Sequence, residues 1–260
     1  MQCTFHKYHG TGNDFIIIDN RHNEIPELST QQVKAMCNRH TGIGADGLML
    51  LQLKEGYHFE MVYYNADGNV STMCGNGGRC LVQFAATMGI VTNEYTFIAI
   101  DGVHHAYITK QGWVHLKMCD VQEVHIENGD YILNTGSPHY VTLVSDIKTT
   151  LVTELGKAIR YSYRYNVEGI NVNFVARVSD DTLYVRTYER GVEAETLSCG
   201  TGVTAAAIAL GNAKQGNNTV HIHTLGGKLT VMYSLTASNT YEHIWLCGPA
   251  VLVYTGIIVL

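Results

Sequence analysis

Proline is scarce in this chain, with 3 residues in 260. Proline-rich linkers are therefore absent, and no low-complexity stretch takes their place. Charge is sparse too: Asp, Glu, Lys and Arg make up 15 %, no basic run occurs, and the formal net charge is −6. That balance argues against a nucleic-acid partner. The seven cysteines contain no Cys-x-x-Cys pair, which speaks against a zinc ribbon or a secreted disulfide framework and for a reducing compartment. The segment Met1–Lys7 lacks the apolar core of a signal peptide. The long uncharged run, Ile244 to Leu260, is interrupted by Gly248-Pro249 and Thr255-Gly256. It predicts two buried strands, roughly 250–254 and 257–260, rather than a membrane anchor. A soluble, cytoplasmic protein without a membrane partner is expected.

Glycine is abundant, with 26 residues, and 46 % of the chain is hydrophobic. A large core with many turns follows. Domain organisation is read from internal repetition. His9-Gly10 has a counterpart in Pro138-His139, Gly42-Ile43-Gly44 in Gly169-Ile170-Asn171, and Tyr64-Asn65 in Tyr188-Glu189. Cys74-Gly75-Asn76-Gly77 matches Cys199-Gly200-Thr201-Gly202, and the turn Asp101-Gly102 matches Gly226-Gly227. The five pairs keep their order at a nearly constant offset of about 125 to 130 positions, so the chain reads as two copies of one α+β unit. In the first copy Ser29 caps a helix over 30–39 with Val33, Met36 and Cys37 on its buried face. A central helix follows Cys74, burying Leu81, Phe84, Ala85 and Met88 until Gly89 ends it. Its counterpart over 202–211 is apolar on nearly every side and predicts a helix at the centre of its domain. The expected architecture is α+β, with two pseudo-symmetric domains facing each other across a cleft.

Cys74 and Cys199 each stand immediately before a glycine-rich helix start. The first turn of a helix has amides with no internal acceptor, and with the helix dipole it suits a carboxylate or phosphate. The same position lowers a thiol pKa. Two opposed thiols beside a carboxylate cradle fit inversion at a Cα: one removes the proton from one face, the other supplies it to the opposite face. Aligned helix starts would stabilise the carbanion-like transition state. The glycines do not make a nucleotide loop, because no Gly-Lys-Ser/Thr ending follows. Cys3, Cys37, Cys80, Cys119 and Cys247 read as small buried hydrophobes. The histidines His104, His105, His221 and His223 do not assemble into a metal site. From the residues alone, three readings stay open. They are epimerisation at the Cα of an amino acid, racemisation of another amino acid such as histidine, and a binding or redox protein whose thiols form a reversible disulfide.

At these residues the chain resembles the diaminopimelate epimerase family, cofactor-independent enzymes of lysine and cell-wall precursor synthesis. Four segments carry the resemblance: 9–15 (HGTGNDF); 65–68 (NADG) with 73–80 (MCGNGGRC); 137–139 (SPH); and 188–191 (YERG) with 195–196 and 199–202 (CGTG). It implies two domains, residues 1–118 completed by a strand at 250–260, and residues 119–249. Each would be a β-barrel-like sheet around a central helix, with the active site in the inter-domain cleft. It further implies Cys74 and Cys199 as acid and base, with His139 and Glu189 tuning them. Gly75, Asn76, Gly200 and Thr201 would hold the reacting carboxylate. Asn13, Asn65, Asn171, Glu189 and Arg190 would bind the rest of diaminopimelate, with Arg190 forking onto the distal carboxylate. No cofactor and no metal are implied, and a homodimer is. Two positions depart from the commonest family pattern: Ser137 stands where many members have Asn, and Gly47 where some have Gln.

Overall fold

The computed structural model describes residues 2–259, and its secondary structure is α+β, rich in strands with four helices among the described residues. It divides into two compact units, one running to Leu116 and taking back the segment from Gly248, the other Lys117–Cys247. In the first unit β1 (Gln2–Gly10) and β2 (Asn13–Asp19) precede α1 (Thr30–Cys37), β3 (Gly47–Gln52) and β4 (Phe59–Asn65). Then come α2 (Gly75–Thr87), β5 (Tyr95–Ala99), β6 (Gly102–Ile108) and β7 (Val114–Lys117). β1 pairs antiparallel with β2, and β2 runs parallel to β3 across α1. β3 is antiparallel to β4, β4 parallel to β5 across α2, and β5 to β7 form an antiparallel meander.

The second unit repeats that order. After the short β8 (His125–Glu127) come β9 (Asp130–Asn134), β10 (Pro138–Leu143), α3 (Val152–Arg160) and β11 (Asn171–Arg177). They are followed by β12 (Thr182–Glu189), β13 (Ala194–Thr196), α4 (Gly200–Leu210), β14 (Gly216–Thr224), β15 (Gly227–Leu235) and β16 (Tyr241–Gly248). β9 is antiparallel to β10, β10 parallel to β11 across α3, and β11 antiparallel to β12. β12 runs parallel to β14 across α4, and β14 to β16 close as an antiparallel meander. The fold is pseudo-symmetric in this sense: the same sequence of ladders and crossovers occurs twice.

In each unit one helix lies against the outside of the sheet and one lies within it. In β2 all of Phe15 to Ile18 is buried, as expected of a strand covered on both faces. Ile16 and Ile18 pack with Leu48 and Leu50 against Val33, Met36 and Cys37 of α1. In the second unit Val172 and Phe174 of β11 pack with Val152 of α3 and with Tyr188. The enclosed helices are α2 and α4. Ala205, Ala206 and Ala207 of α4 have no exposed surface, and the helix touches β9, β10, β11, β12, β14 and β15. No helix among the described residues is long and apolar enough to cross a membrane.

Three element-level expectations are corrected. α1 stops at Cys37 rather than 39, because Asn38 is extended (φ −65°, ψ 124°) and its side-chain oxygen accepts from the amides of His40 and Thr41. Met88 lies beyond the end of α2 and is half-buried, and Gly89 at φ 88° turns the chain away. The C-terminal segment is one strand, β17 (Val251–Val259), antiparallel to β1 and mostly exposed, not two buried strands. Gly256 does not break it: the residue lies opposite Phe5, whose ring leaves no room there for a Cβ. Leu260 lies outside the described residues.

α1 begins with a capping box in which Ser29 Oγ accepts from the Gln32 amide and the Gln32 side chain accepts from the Ser29 amide. Ser29→Ala is expected to destabilise the protein by about 1 kcal/mol. Thermal unfolding should read this as a fall in Tm of about 2–4 °C.

Candidate functional site

Cys74 and Cys199 occupy the N-cap positions of α2 and α4, both with extended backbones and neither helix capped by a side chain. The chain leaves a sheet strand, places the cysteine at the mouth of the enclosed helix, and turns inward through glycine. Gly75, Asn76, Gly200 and Cys199 are buried, whereas Cys74 is half-buried.

Around Cys74 a chain of side chains fixes every polar direction. Arg79, fully buried on α2, donates to Gly75 O at 3.2 Å and to Asn76 Oδ1 at 2.9 Å. A guanidinium only donates, so the other end of Asn76 is its amide nitrogen, which donates to Asn13 Oδ1 at 3.2 Å. Asn13 Nδ2 in turn donates to Asp46 Oδ2 at 2.7 Å. A carboxylate only accepts, so Asn13 presents its oxygen to the site, and Cys74 Sγ donates to it at 3.6 Å. Asp46 is held by Arg39 at 2.6 Å. Arg39 also grips Asp14, which pairs with the buried Lys7 at 2.7 Å. Burial alone would raise the Asp14 pKa, but hydrogen bonds from Arg39 and Lys7 hold it far below the usual carboxylate range.

Around Cys199 the partners differ. Its Sγ lies 3.5 Å from Thr201 Oγ1, and the Thr201 carbonyl accepts from Thr135 Oγ1 at 2.9 Å. His139, with no exposed surface, faces Asn173 Nδ2 from its Nδ1 at 3.1 Å. Burial, with the charge of Arg190, lowers the His139 pKa to about 3. Asn171 is buried: its Nδ2 donates to Ser137 Oγ at 2.8 Å and to Pro138 O, and its Oδ1 accepts from the Arg190 amide at 2.9 Å. The Arg190 guanidinium is exposed and held by Glu168 O and Ser137 Oγ. Glu189 Oε2 accepts from Thr196 Oγ1 at 3.0 Å. Asn65 is half-buried at the end of β4, opposite Gly47.

Residues 5–124 and 131–253 match the diaminopimelate epimerase family. The chain belongs to the diaminopimelate epimerase family. A diaminopimelate epimerase of Flavobacterium psychrophilum is 50 % identical over 250 residues, 96 % of this chain and 97 % of its own. That of Chlorobaculum tepidum is 41 % identical, over 96 % of this chain and 99 % of its own. Among solved structures, a PhzF-family protein of Bacillus anthracis superposes with a TM-score of 0.79 at 11 % identity, covering 100 % of each chain. A hydroxyproline epimerase of Agrobacterium vitis gives 0.69 at 14 % identity, covering 100 % of this chain and 93 % of the other. These structural likenesses show the fold alone.

For a chain of this epimerase family, the structure gathers Asn13, Asn76, Gly75 and Cys74 in the first unit. In the second it gathers Thr201, Gly200 and Cys199, and separately ties Asn171 to Arg190. The two departures acquire reasons. A Cβ at Gly47 would come within 2.5 Å of the Tyr63 ring, and Ser137 bridges Asn171 and Arg190. Of the five cysteines expected to pack, Cys3, Cys37, Cys80 and Cys247 are buried, and burial pushes the Cys37 and Cys80 thiols to about 11 and about 12. Cys119 is exposed, which corrects that expectation. It sits between β7 and β8, outside any helix or strand.

Sequence reasoning passed over Arg79, Asp46, Arg39, Asn173 and Thr187. Two signals were available: an arginine inside an enclosed helix, and an asparagine in the buried run Val172–Val175. Both are polar groups that a core tolerates only with partners.

The stabilisation from Asp14 is present in full above its unfolded pKa of about 4 and is lost as pH falls toward its lower folded value. Asp14→Asn leaves Lys7 buried without its charge partner and is expected to destabilise the protein by about 3 kcal/mol at pH 7. Urea unfolding across pH should show the gap between the two proteins closing below about pH 4.

Proposed function

We propose that the protein interconverts LL- and meso-diaminopimelate by two-base proton transfer at Cα, with Cys74 and Cys199 as the two acid/base groups. The observation that carries this reading is the placement of two cysteines at equivalent helix starts of a repeated fold, in a chain of this family. One thiolate withdraws the α-proton while the other thiol delivers one to the opposite face. The exchange inverts the centre without any redox change. The Asn13 oxygen beside Cys74 suits a protonated thiol, since a carbonyl oxygen can accept from S–H but offers nothing to a thiolate. The Thr201 hydroxyl beside Cys199 can donate to a thiolate.

The first turns of α2 and α4, at Gly75-Asn76 and Gly200-Thr201, are assigned to the reacting carboxylate, where helix-start amides favour negative charge as it develops. Arg190, held by two neutral oxygens, is assigned to the distal carboxylate, with Asn65, Asn171 and Glu189 around the amino groups. His139 and Glu189 are assigned the tuning of the thiols. The chemistry asks for no cofactor or metal.

In deuterated water the protein should exchange the α-proton of LL-diaminopimelate and yield the meso isomer, followed by NMR. Freshly reduced protein that gives no exchange rules the reading out. Cys74→Ala and Cys199→Ala should each lower turnover by a factor of about a thousand or more, and Cys119→Ala should leave it intact. Comparable losses in all three would remove the assignment.

A cytoplasmic homodimer belongs to the same proposal. No cysteine among the described residues is joined in a disulfide, as a reducing compartment requires. β17 turns Val253, Ile257 and Val259 to solvent from one face at 56–72 % exposure, an apolar strand face that a second copy would cover. Sedimentation should give a dimer that Ile257→Asp converts to monomer. A wild-type monomer at micromolar concentration would contradict it.

A further inference from the structure

The turn that carries Arg190 is built around a residue in an unfavourable backbone conformation. It runs from Glu189 at the end of β12 to Ala194 at the start of β13, and the Glu193 amide closes it on the Glu189 carbonyl at 2.8 Å. Glu193 lies in the left-handed region, at φ 57°. The first unit makes the equivalent turn after β4. There Tyr64 pairs with Val70 as Tyr188 pairs with Glu195, and the left-handed position is held by Gly68, at φ 83°. The Gly68 amide closes that turn on the Asn65 carbonyl at 2.9 Å, and its Cα is pressed against Thr30. Glycine takes this conformation freely, whereas a side chain makes it costly. A long charged residue held there implies a role for its side chain.

The Glu193 carboxylate gathers donors from three elements. Its Oε1 accepts from the Gly191 amide at 3.1 Å and from Arg160 Nε at 3.3 Å, and its Oε2 accepts from the Tyr188 hydroxyl at 3.2 Å. Burial opposes its charge, but the Gly191 amide, the Tyr161 and Tyr188 hydroxyls and Arg160 hold the carboxyl below its usual range. Two routes lead from it to the Arg190 guanidinium. The shorter is the turn itself, since Gly191 follows Arg190 directly. The longer passes through Arg160 on α3. A Cβ on Gly156, one helical turn earlier, would lie 2.3 Å from Tyr188 Cβ, so α3 rests directly on β12 and brings Arg160 over Glu193. Arg160 Nη1 donates to the carbonyls of Tyr165 at 3.2 Å and Asn166 at 3.4 Å, and the Gly169 amide shares the Tyr165 carbonyl at 2.9 Å. In the loop so shaped, Glu168 O accepts from Arg190 Nη1 at 2.9 Å. Gly169, at φ 74°, separates the two arginines: a Cβ there would lie 2.7 Å from both Arg160 Cζ and Arg190 Cδ. Cations on either side of one glycine repel each other, and the Glu193 carboxylate draws Arg160 to its own side.

We propose that Glu193 is a positioning residue that fixes the direction of the Arg190 guanidinium, and with it the preference for a substrate bearing a distal carboxylate. The inference rests on the assignment of Arg190 to that carboxylate. In this role Glu193 touches neither the substrate nor the reacting atoms. It braces the turn beneath Arg190 and, through Arg160, the loop whose carbonyl holds the guanidinium. A guanidinium grips a carboxylate through two parallel N–H donors, so tilting its plane breaks the fork even though the charge remains.

The test is steady-state kinetics of the intact, reduced protein with LL-diaminopimelate, comparing Glu193→Gly, Glu193→Gln, Arg190→Ala and the two double variants. Glu193→Gly relieves the backbone while removing the brace. Glu193→Gln keeps the size and one acceptor oxygen, so it reads the same role with the packing unaltered. Arg190→Ala should raise KM by about a hundredfold, Glu193→Gly by about tenfold and Glu193→Gln by about threefold, with kcat in both Glu193 variants within about threefold of wild type. In the Arg190→Ala background neither Glu193 substitution should raise KM by more than about twofold, because the brace then has nothing to hold. Full effects of the Glu193 substitutions in that background mark a merely structural residue and overturn the proposal. A fall in kcat with KM unchanged, or wild-type constants in both Glu193 variants, overturns it equally. An unchanged KM in Arg190→Ala is a different failure: it removes the assignment of Arg190 to the distal carboxylate, and the proposal with it.

Discussion

The structure depends on a single constraint: in each unit a helix is enclosed by strands, so the helix must be thin and its start must need no water. Thinness explains the glycines and alanines of α2 and α4. A Cβ on Gly77 would come within 2.1 Å of Met49 on β3, and one on Gly202 would run into Asn173. The requirement at the helix start is harder to satisfy, since the first-turn amides have no partner within the helix. An enclosed, uncapped helix start is unfavourable unless something negative is placed there. The proposed reaction would put the substrate carboxylate there, and the cysteines stand at the helix N-caps.

The two units meet this constraint with different polar chemistry. On α2, Arg79 donates back to the carbonyl of Gly75; on α4, Thr204 Oγ1 donates to the carbonyl of Gly200 at 2.9 Å. The same backbone oxygen is served by a charged group in one unit and a neutral one in the other. Beside Cys74 the orienting chain runs from Arg79 through two asparagines to the Asp46–Arg39 pair. In the second unit it runs from Thr187 through Asn173 to a neutral imidazole. A repeated fold with identical surroundings would give two thiols of equal proton affinity, a poor basis for one acid and one base. The order of ladders and crossovers is the same in the two units, whereas the side chains around the two helix starts differ.

Much of this was legible in the sequence, for identifiable reasons. The repeat could be seen because Cys-Gly-x-Gly and the tight turns demand particular residues wherever the backbone demands particular angles. The buried faces of α1 and α2 followed from helical spacing, and the enclosed character of α4 from its lack of a polar side. The polar brackets around the thiols were not legible, because they join residues far apart in sequence. Asp46 reaches Asn13 only through the parallel pairing of β2 with β3, and Thr187 reaches Asn173 only through the β11–β12 register. An apolar tail also reads alike whether it is buried or lies as an exposed edge such as β17.

The composition of α4 also bears on how the protein acquires its structure. Its stretch from Val203 to Leu210 is almost entirely apolar and, apart from Ala209, buried. A short helix with no polar side gains nothing from forming alone in water. Its order must come from strands on both sides of it in sequence, β9 to β12 before and β14 and β15 after. The chain therefore has to be made well past residue 227 before Cys199 has a helix to cap. A nascent or partly unfolded second unit therefore lacks the helix start at which Cys199 stands, and gains it only with the last strands.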